Sequence, residues 1–139
     1  MRSSGRLKET GRLALDTNAI IAFRSGNKAI FRYIDEADTL LIPVTVLGEL
    51  LYGAMNSSKM EKNIEIIHRF VEYADIIDIN YSIAHRYSVI RSDLKKRGRP
   101  IPENDIWIAA SCIELDVPLV TRDSHFSSVY DLKLVQWDE

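Results

Sequence analysis

The sequence predicts an α/β fold: a three-layer α/β/α sandwich around a mostly parallel central sheet of about five strands. Short apolar runs of strand length alternate with helical segments almost from end to end. Those runs also lack the apolar-polar alternation of a sheet with one wet face, so helices must cover both sides.

Each element has its own signal. Arg12 to Asp16 (RLALD) is an apolar run stopped by Asp16-Thr17-Asn18, residues that cap helices or tighten turns. A helix over Ala19 to Arg24 ends at Ser25-Gly26-Asn27, and a second spans Lys28 to Glu36 with Ile30, Phe31 and Ile34 at helical spacing. The next strand is Asp38 to Ile42, closed by Pro43. Val44 to Met55 (VTVLGELLYGAM) is a helix whose sole charge is Glu49, and after Asn56-Ser57-Ser58 an amphipathic helix runs from Lys59 to Tyr73. Asp75 to Ile79 is a strand. Tyr81 to Arg97 is a long helix whose basic end suits the helix dipole and which Gly98 stops. A nearly all-apolar helix follows the loop to Asp105, and Val117 to Thr121 and Leu132 to Trp137 are the last two strands, joined by a turn of helix around Ser124 to Val129.

A chain of 139 residues, 46% hydrophobic and 27% charged, fits one domain with a real core, here residues 12–139 behind a flexible lead-in over Met1 to Gly11. The net charge of -2 does not announce nucleic-acid binding, although a local basic patch remains compatible with it. The single cysteine, Cys112, lies inside the apolar helix, which excludes an internal disulfide framework and fits a cytoplasmic location. No apolar run reaches the length of a membrane span.

Four carboxylates organise the functional reading. Asp16 and Asp123 stand directly after apolar strands, Glu49 rides on the helix after the second strand, and Asp105 opens the apolar helix. In an open parallel sheet ligands bind beyond the carboxyl ends of the strands, so all four can reach one rim. Each alone has an ordinary explanation: helix caps for Asp16 and Asp123, a buried ion pair for Glu49, a dipole partner for Asp105. Jointly they are costly. The helices of Glu49 and Asp105 are apolar nearly all round, no Lys, Arg or His occurs from Ile106 to Leu115, and crowded ionised carboxylates need a cation. Oxygen-only ligands favour Mg²⁺ or Mn²⁺ over zinc, and such a site suits phosphodiester hydrolysis by metal-activated water. Thr17, Asn18, Asn104 and Thr121 accompany the acids as supporting polar residues.

The pieces LDTNAII at 15–21, GELLYGA at 48–54, GRPIPENDIWIAA at 98–110 and LVTRDSHF at 119–126 occur in order, and together the chain resembles PIN-domain ribonucleases, most closely VapC-type toxins of toxin–antitoxin pairs. The resemblance runs from Leu15 to Trp137. It implies an endoribonuclease dependent on Mg²⁺ or Mn²⁺, with Asp16, Glu49, Asp105 and Asp123 as catalytic and metal-binding acids, Thr17 and Thr121 as supporting hydroxyls, and Asn18 as a structural residue of the first turn. It also implies an RNA substrate (tRNA, rRNA or mRNA), a cognate antitoxin and a homodimer. Relatives often carry Asn where Asp123 stands.

Other residues carry less. Lys95, Lys96, Arg97 and Arg99 form a basic cluster that reads either as a solvated helix end or as a contact for RNA phosphates. His68, His85 and His125 show no metal-ligand spacing and receive no catalytic role, although His125 stands near enough to Asp123 to touch substrate. Tyr52 and Trp107 read as core, while Phe23, Phe31, Tyr33, Leu51, Tyr52 and Met55 make the helices between Ala19 and Tyr73 more apolar than a small sheet needs, which predicts an interface. An alternative from another class is a protein-binding module of a repressor complex with a vestigial acidic rim. Four intact acids argue against it. A phosphatase of another α/β family would pair the first Asp with a second two residues on, where this chain has Asn18.

Overall fold

The structure, a computed structural model, describes residues 11–137. Strand β1 (Arg12–Leu15) is the middle of a five-stranded sheet with the order β3-β2-β1-β4-β5, and every pairing is parallel. From β1 the chain runs through helices α1 (Thr17–Arg24) and α2 (Lys28–Glu36) to β2 (Thr39–Pro43). It continues through α3 (Val44–Met55) and α4 (Met60–Val71) to the edge strand β3 (Asp75–Ile77). Helices α5 (Tyr81–Lys96) and α6 (Glu103–Leu115) then carry it back across the sheet to β4 (Leu119–Val120), and a 3-10 turn over Ser124–Ser128 leads to β5 (Leu134–Val135). The strand order reverses between β1 and β4. That reversal is the switch point at which an open α/β sheet leaves a crevice.

Apolar residues dictate the layering. Leu13, Leu15, Ile42, Leu119 and Val120 are solvent-free in the sheet, and Ile30, Val46, Ile83, Leu94 and Ile108 pack onto it from the helices. Helix α6 is the most enclosed, with Ile106, Ile108, Ala109, Ala110, Ser111 and Cys112 all buried. Burial holds the Cys112 thiol far above its usual range, so it behaves as a core residue. At its far end α6 stops at Asp116, which adopts the left-handed conformation (φ 54), and the Arg12 guanidinium donates to the Leu115 carbonyl at 2.6 Å. Strand β1 is thereby tied to the helix that faces its acid.

Several boundaries differ from the expectation for a common reason. The runs Val117 to Thr121 and Leu132 to Trp137 form ladders only at Leu119–Val120 and Leu134–Val135, because apolar residues continue past the point where parallel partners diverge. Pro43 ends β2 from inside the strand rather than after it. Of the lead-in expected over Met1 to Gly11, residues 1–10 lie outside the described residues. Gly11 itself is buried at φ +66 and accepts a hydrogen bond from Thr39 N at 2.7 Å. An added Cβ there would sit 2.7 Å from the Asp38 carboxylate, so glycine suits both the turn and the close approach. No helix among the described residues is long and apolar enough to cross a membrane.

Tyr52 is a correction. It is 72% exposed rather than core, and with Met55 at 60% and Phe31 at 54% it leaves apolar surface uncovered on the α2 and α3 side. Trp107 is partly buried and stacks on Tyr87 with ring centroids 3.9 Å apart. Arg97 is engaged internally: it donates to Asp93 Oδ2 at 2.7 Å and to the Ser128 carbonyl at 2.6 Å, and its guanidinium lies 4.0 Å from the Tyr130 ring. It fastens the end of α5 to the segment before β5, while Lys95, Lys96 and Arg99 remain exposed.

Candidate metal centre

The four acids come from four elements and meet through three short hydrogen-bonded links. Asp16 follows β1 at the switch point and caps α1, its carboxylate accepting from Thr17 N at 2.8 Å. Its other oxygen accepts from the Thr121 hydroxyl at 2.7 Å, across the gap between β1 and β4. Thr121 is solvent-free, and its oxygen also accepts from Asp123 N at 3.0 Å. One hydroxyl therefore fixes two acids, using its donor on one and a lone pair for the other.

Glu49 reaches the same rim from α3. The Thr17 hydroxyl donates to Glu49 Oε1 at 2.6 Å, and Asn104 Nδ2 donates to Oε2 at 3.3 Å. Thr17 thus links two acids as Thr121 does, with its backbone serving Asp16 and its side chain Glu49. Asn18, on the same first turn, is exposed. The α6 residues divide by face: Asn104 and Asp105 turn to the acids, whereas Glu103 and Ile106 line a cleft of about 530 Å³ against Arg91 and Lys95 of α5.

Asp105 is joined to Asp123 by a residue whose place the sequence did not reveal. His125 Nδ1 lies 3.1 Å from Asp105 Oδ2 and 3.0 Å from Asp123 Oδ1, and the His125 backbone N–H donates to Asp123 Oδ1 at 2.9 Å. Asp123 caps the 3-10 turn, so here the capping and the site readings of one acid hold together. The Asp105, Asp123 and His125 ligand atoms all lie within 4.8 Å of one another.

Burial governs the electrostatics. Asp16 is only 5% exposed, and desolvation pushes its carboxyl up against the opposing hydrogen bonds from Thr121 and Thr17, with Glu49 and Asp123 adding repulsion. Asp105 is pushed up from 3.8 to about 6, first by desolvation, with the His125 hydrogen bond working the other way and Asp123 and Asp16 raising it further. These are acids held where their charge is disfavoured. The oxygen donors, the single imidazole nitrogen and the net negative charge fit a divalent cation, for which Asp105, Asp123 and His125 bring ligand atoms together while Asp16 and Glu49 join them through Thr121 and Thr17.

The fold has counterparts among known proteins. The pattern of the PIN domain family matches residues 13–132. The chain belongs to the PIN domain family. It is 32% identical over 128 residues to "Ribonuclease VapC1" of Haemophilus influenzae, covering 88% of this chain and 96% of that protein. It is also 32% identical over 127 residues, with the same coverage, to the "tRNA(fMet)-specific endonuclease VapC" of Shigella flexneri. Among solved structures, VapBC-1 from nontypeable Haemophilus influenzae superposes with a TM-score of 0.85 at 31% identity, over 92% of this chain and 99% of that one. This PIN domain therefore spans nearly the whole length of its VapC relatives.

The raised acids carry a stability consequence. Folded Asp105, near 6, retains a proton that the unfolded chain releases near 3.8, so metal-free stability falls as pH rises through that window and this contribution is gone by pH 7.5. Asp105→Asn should flatten the slope and raise the melting temperature in EDTA at pH 7.5 by a few degrees. After screening by the solvent that still reaches the side chain, that corresponds to about 1 kcal/mol. The stabilisation given by millimolar Mn²⁺ should shrink in the same variant. Thermal unfolding of both proteins at pH 5 and 7.5, with EDTA and with Mn²⁺, checks this. A lower metal-free melting temperature and an unchanged Mn²⁺ shift would make Asp105 a structural cap.

Proposed function

We propose that the chain is an endoribonuclease dependent on Mg²⁺ or Mn²⁺, the toxin of a VapBC-type toxin–antitoxin pair. The observation that carries this reading is the convergence of Asp16, Glu49, Asp105 and Asp123 on the β1/β4 switch point, each fixed by Thr17, Asn104, Thr121 or His125. When bound, the cation would supply positive charge to a scissile phosphate and lower the pKa of water. The chain's own residues do the rest. Thr17 and Thr121 hold Glu49 and Asp16 in single orientations, so little reorganisation is needed at the moment of reaction. The attacking water adds its oxygen to phosphorus as a rim carboxylate takes its proton, one ester P–O bond breaks, and the leaving oxygen departs as a hydroxyl after taking a proton from solvent. Lys95, Lys96 and Arg99 are the cations available for flanking phosphates, with Lys95 also lining the cleft beside α6. Arg97 contributes by holding that helix end in place.

The exposed apolar residues Phe31, Tyr52 and Met55 suit burial against an antitoxin segment or a second copy of the chain. The relative of known structure named VapBC-1 supports an antitoxin as one such partner. Incubating purified protein with total cellular RNA, and mapping the new ends, tests the activity. Cleavage with Mg²⁺ or Mn²⁺ that is lost in excess EDTA is the expected result. Undiminished cleavage in EDTA would overturn the metal dependence, and intact RNA under every metal condition would overturn the nuclease reading.

A further inference from the structure

We infer that His125 is a direct ligand of the divalent ion and biases the site from Mg²⁺ toward Mn²⁺. This rests on the metal-dependent reading proposed above and goes beyond it, because the four acids alone would make an oxygen-only site. Two distances carry the inference. His125 Nδ1 lies 3.0 Å from an Asp123 oxygen and 3.1 Å from an Asp105 oxygen. The contact to Asp105 has hydrogen-bond geometry, and the equally short approach to Asp123 is one that the same Nδ1–H cannot also serve well. The pair of distances also matches the spacing of neighbouring ligands around an octahedral ion, since bonds of about 2.1 Å at right angles put adjacent ligand atoms about 3 Å apart. The three ligand atoms also all lie within 4.8 Å of one another.

The loop holds the ring in this position. The His125 N–H donates to Asp123 Oδ1 at 2.9 Å, which fixes the backbone, and the following residue, Phe126, is solvent-free in the core. The side chain is 47% exposed, so on metal binding the ring can carry its hydrogen on Nε2 toward solvent, giving up the Nδ1–H that Asp105 accepts in the metal-free protein and offering the Nδ1 lone pair inward. An imidazole nitrogen adds little for Mg²⁺, a hard ion that prefers oxygen, and more for Mn²⁺ and the later transition metals.

The test uses the full-length protein and reads binding rather than cleavage. Isothermal titration with Mn²⁺ and with Mg²⁺ should show His125→Ala losing about tenfold in Mn²⁺ affinity, a loss of the order seen when a metal site is damaged. Mg²⁺ affinity should change by less than about threefold, so selectivity narrows. Pulsed electron paramagnetic resonance of Mn²⁺ bound to the unmutated protein, grown with ¹⁵N-histidine, should show a directly coordinated nitrogen. This measurement needs no variant to fold. Mn²⁺ bound without nitrogen coupling, or equal losses for both ions in His125→Ala, would overturn the inference and leave the nuclease reading intact. A protein that binds neither ion would remove both.

Discussion

Asp16→Asn should leave the chain folded and lower RNA cleavage by roughly 10²- to 10³-fold or more, the cost of removing a fixed charge-stabilising group from an active site. The substitution is nearly isosteric, and the local hydrogen bonds can survive it. The amide oxygen can still accept from Thr17 N, while the amide nitrogen can donate to Thr121 Oγ1, a hydroxyl that already accepts from Asp123 N and has a second lone pair. What cannot survive is the negative charge at the most buried acid of the rim, 5% exposed. Removing it also relieves the desolvation that pushes the Asp16 carboxyl up, so the metal-free melting temperature should hold or rise. Cleavage assays on total RNA, with circular dichroism and thermal melts on the same samples, separate the two effects. Full cleavage by a folded Asp16→Asn protein would remove Asp16 from the reaction, and an unfolded variant would make its main role the cap of α1.

Why Asp16 was legible and His125 was not follows from how each signal is carried. Asp16 stands where an apolar strand gives way to a helix, so both its cap and its place at a strand end are written in adjacent residues. Thr121 and Asp123 are equally local, separated by one residue after β4. Contact between His125 and Asp105 spans 20 positions and depends on the 3-10 turn folding the ring back over α6. Ligand spacing along one element cannot detect that. The available clue was Phe126, whose apolar side chain next to an acid and a histidine marks a loop anchored to the core.

The limits on the rest of the fold were also physical. Helix α3 is apolar on nearly all sides, so periodicity could not tell its buried face, with Val46, Leu50 and Ala54, from the exposed one bearing Tyr52 and Met55. Helix α2, with charges interleaved among Ile30, Phe31 and Ile34, was easier to orient, yet Phe31 is 54% exposed. The basic run at the end of α5 looked uniform in sequence. Its members diverge only because Asp93, one turn back, and the Ser128 carbonyl capture Arg97.

Phe126→Ala should cost about 3–5 kcal/mol of stability, the usual range for emptying a buried aromatic site, and lower the melting temperature by about 10–17 °C for a domain of this size. Phe126 is among the largest solvent-free side chains and lies one residue after His125. Its backbone N–H donates to the Asp123 carbonyl and its own carbonyl accepts from Val129 N at 3.1 Å, so the 3-10 turn and the core share this residue. The effect should therefore reach the site. With the plug removed, the turn loses the contact that holds Asp123 and His125 over Asp105, and Mn²⁺ affinity should fall even at temperatures where the variant is folded. Phe126→Leu, which refills most of the volume, should recover much of both losses. Thermal melts paired with Mn²⁺ titration well below the transition read the two separately. If Phe126→Ala loses stability but binds Mn²⁺ as tightly as the unmutated chain, the turn keeps its shape without the plug, and the acids are positioned by Thr121 and the sheet alone.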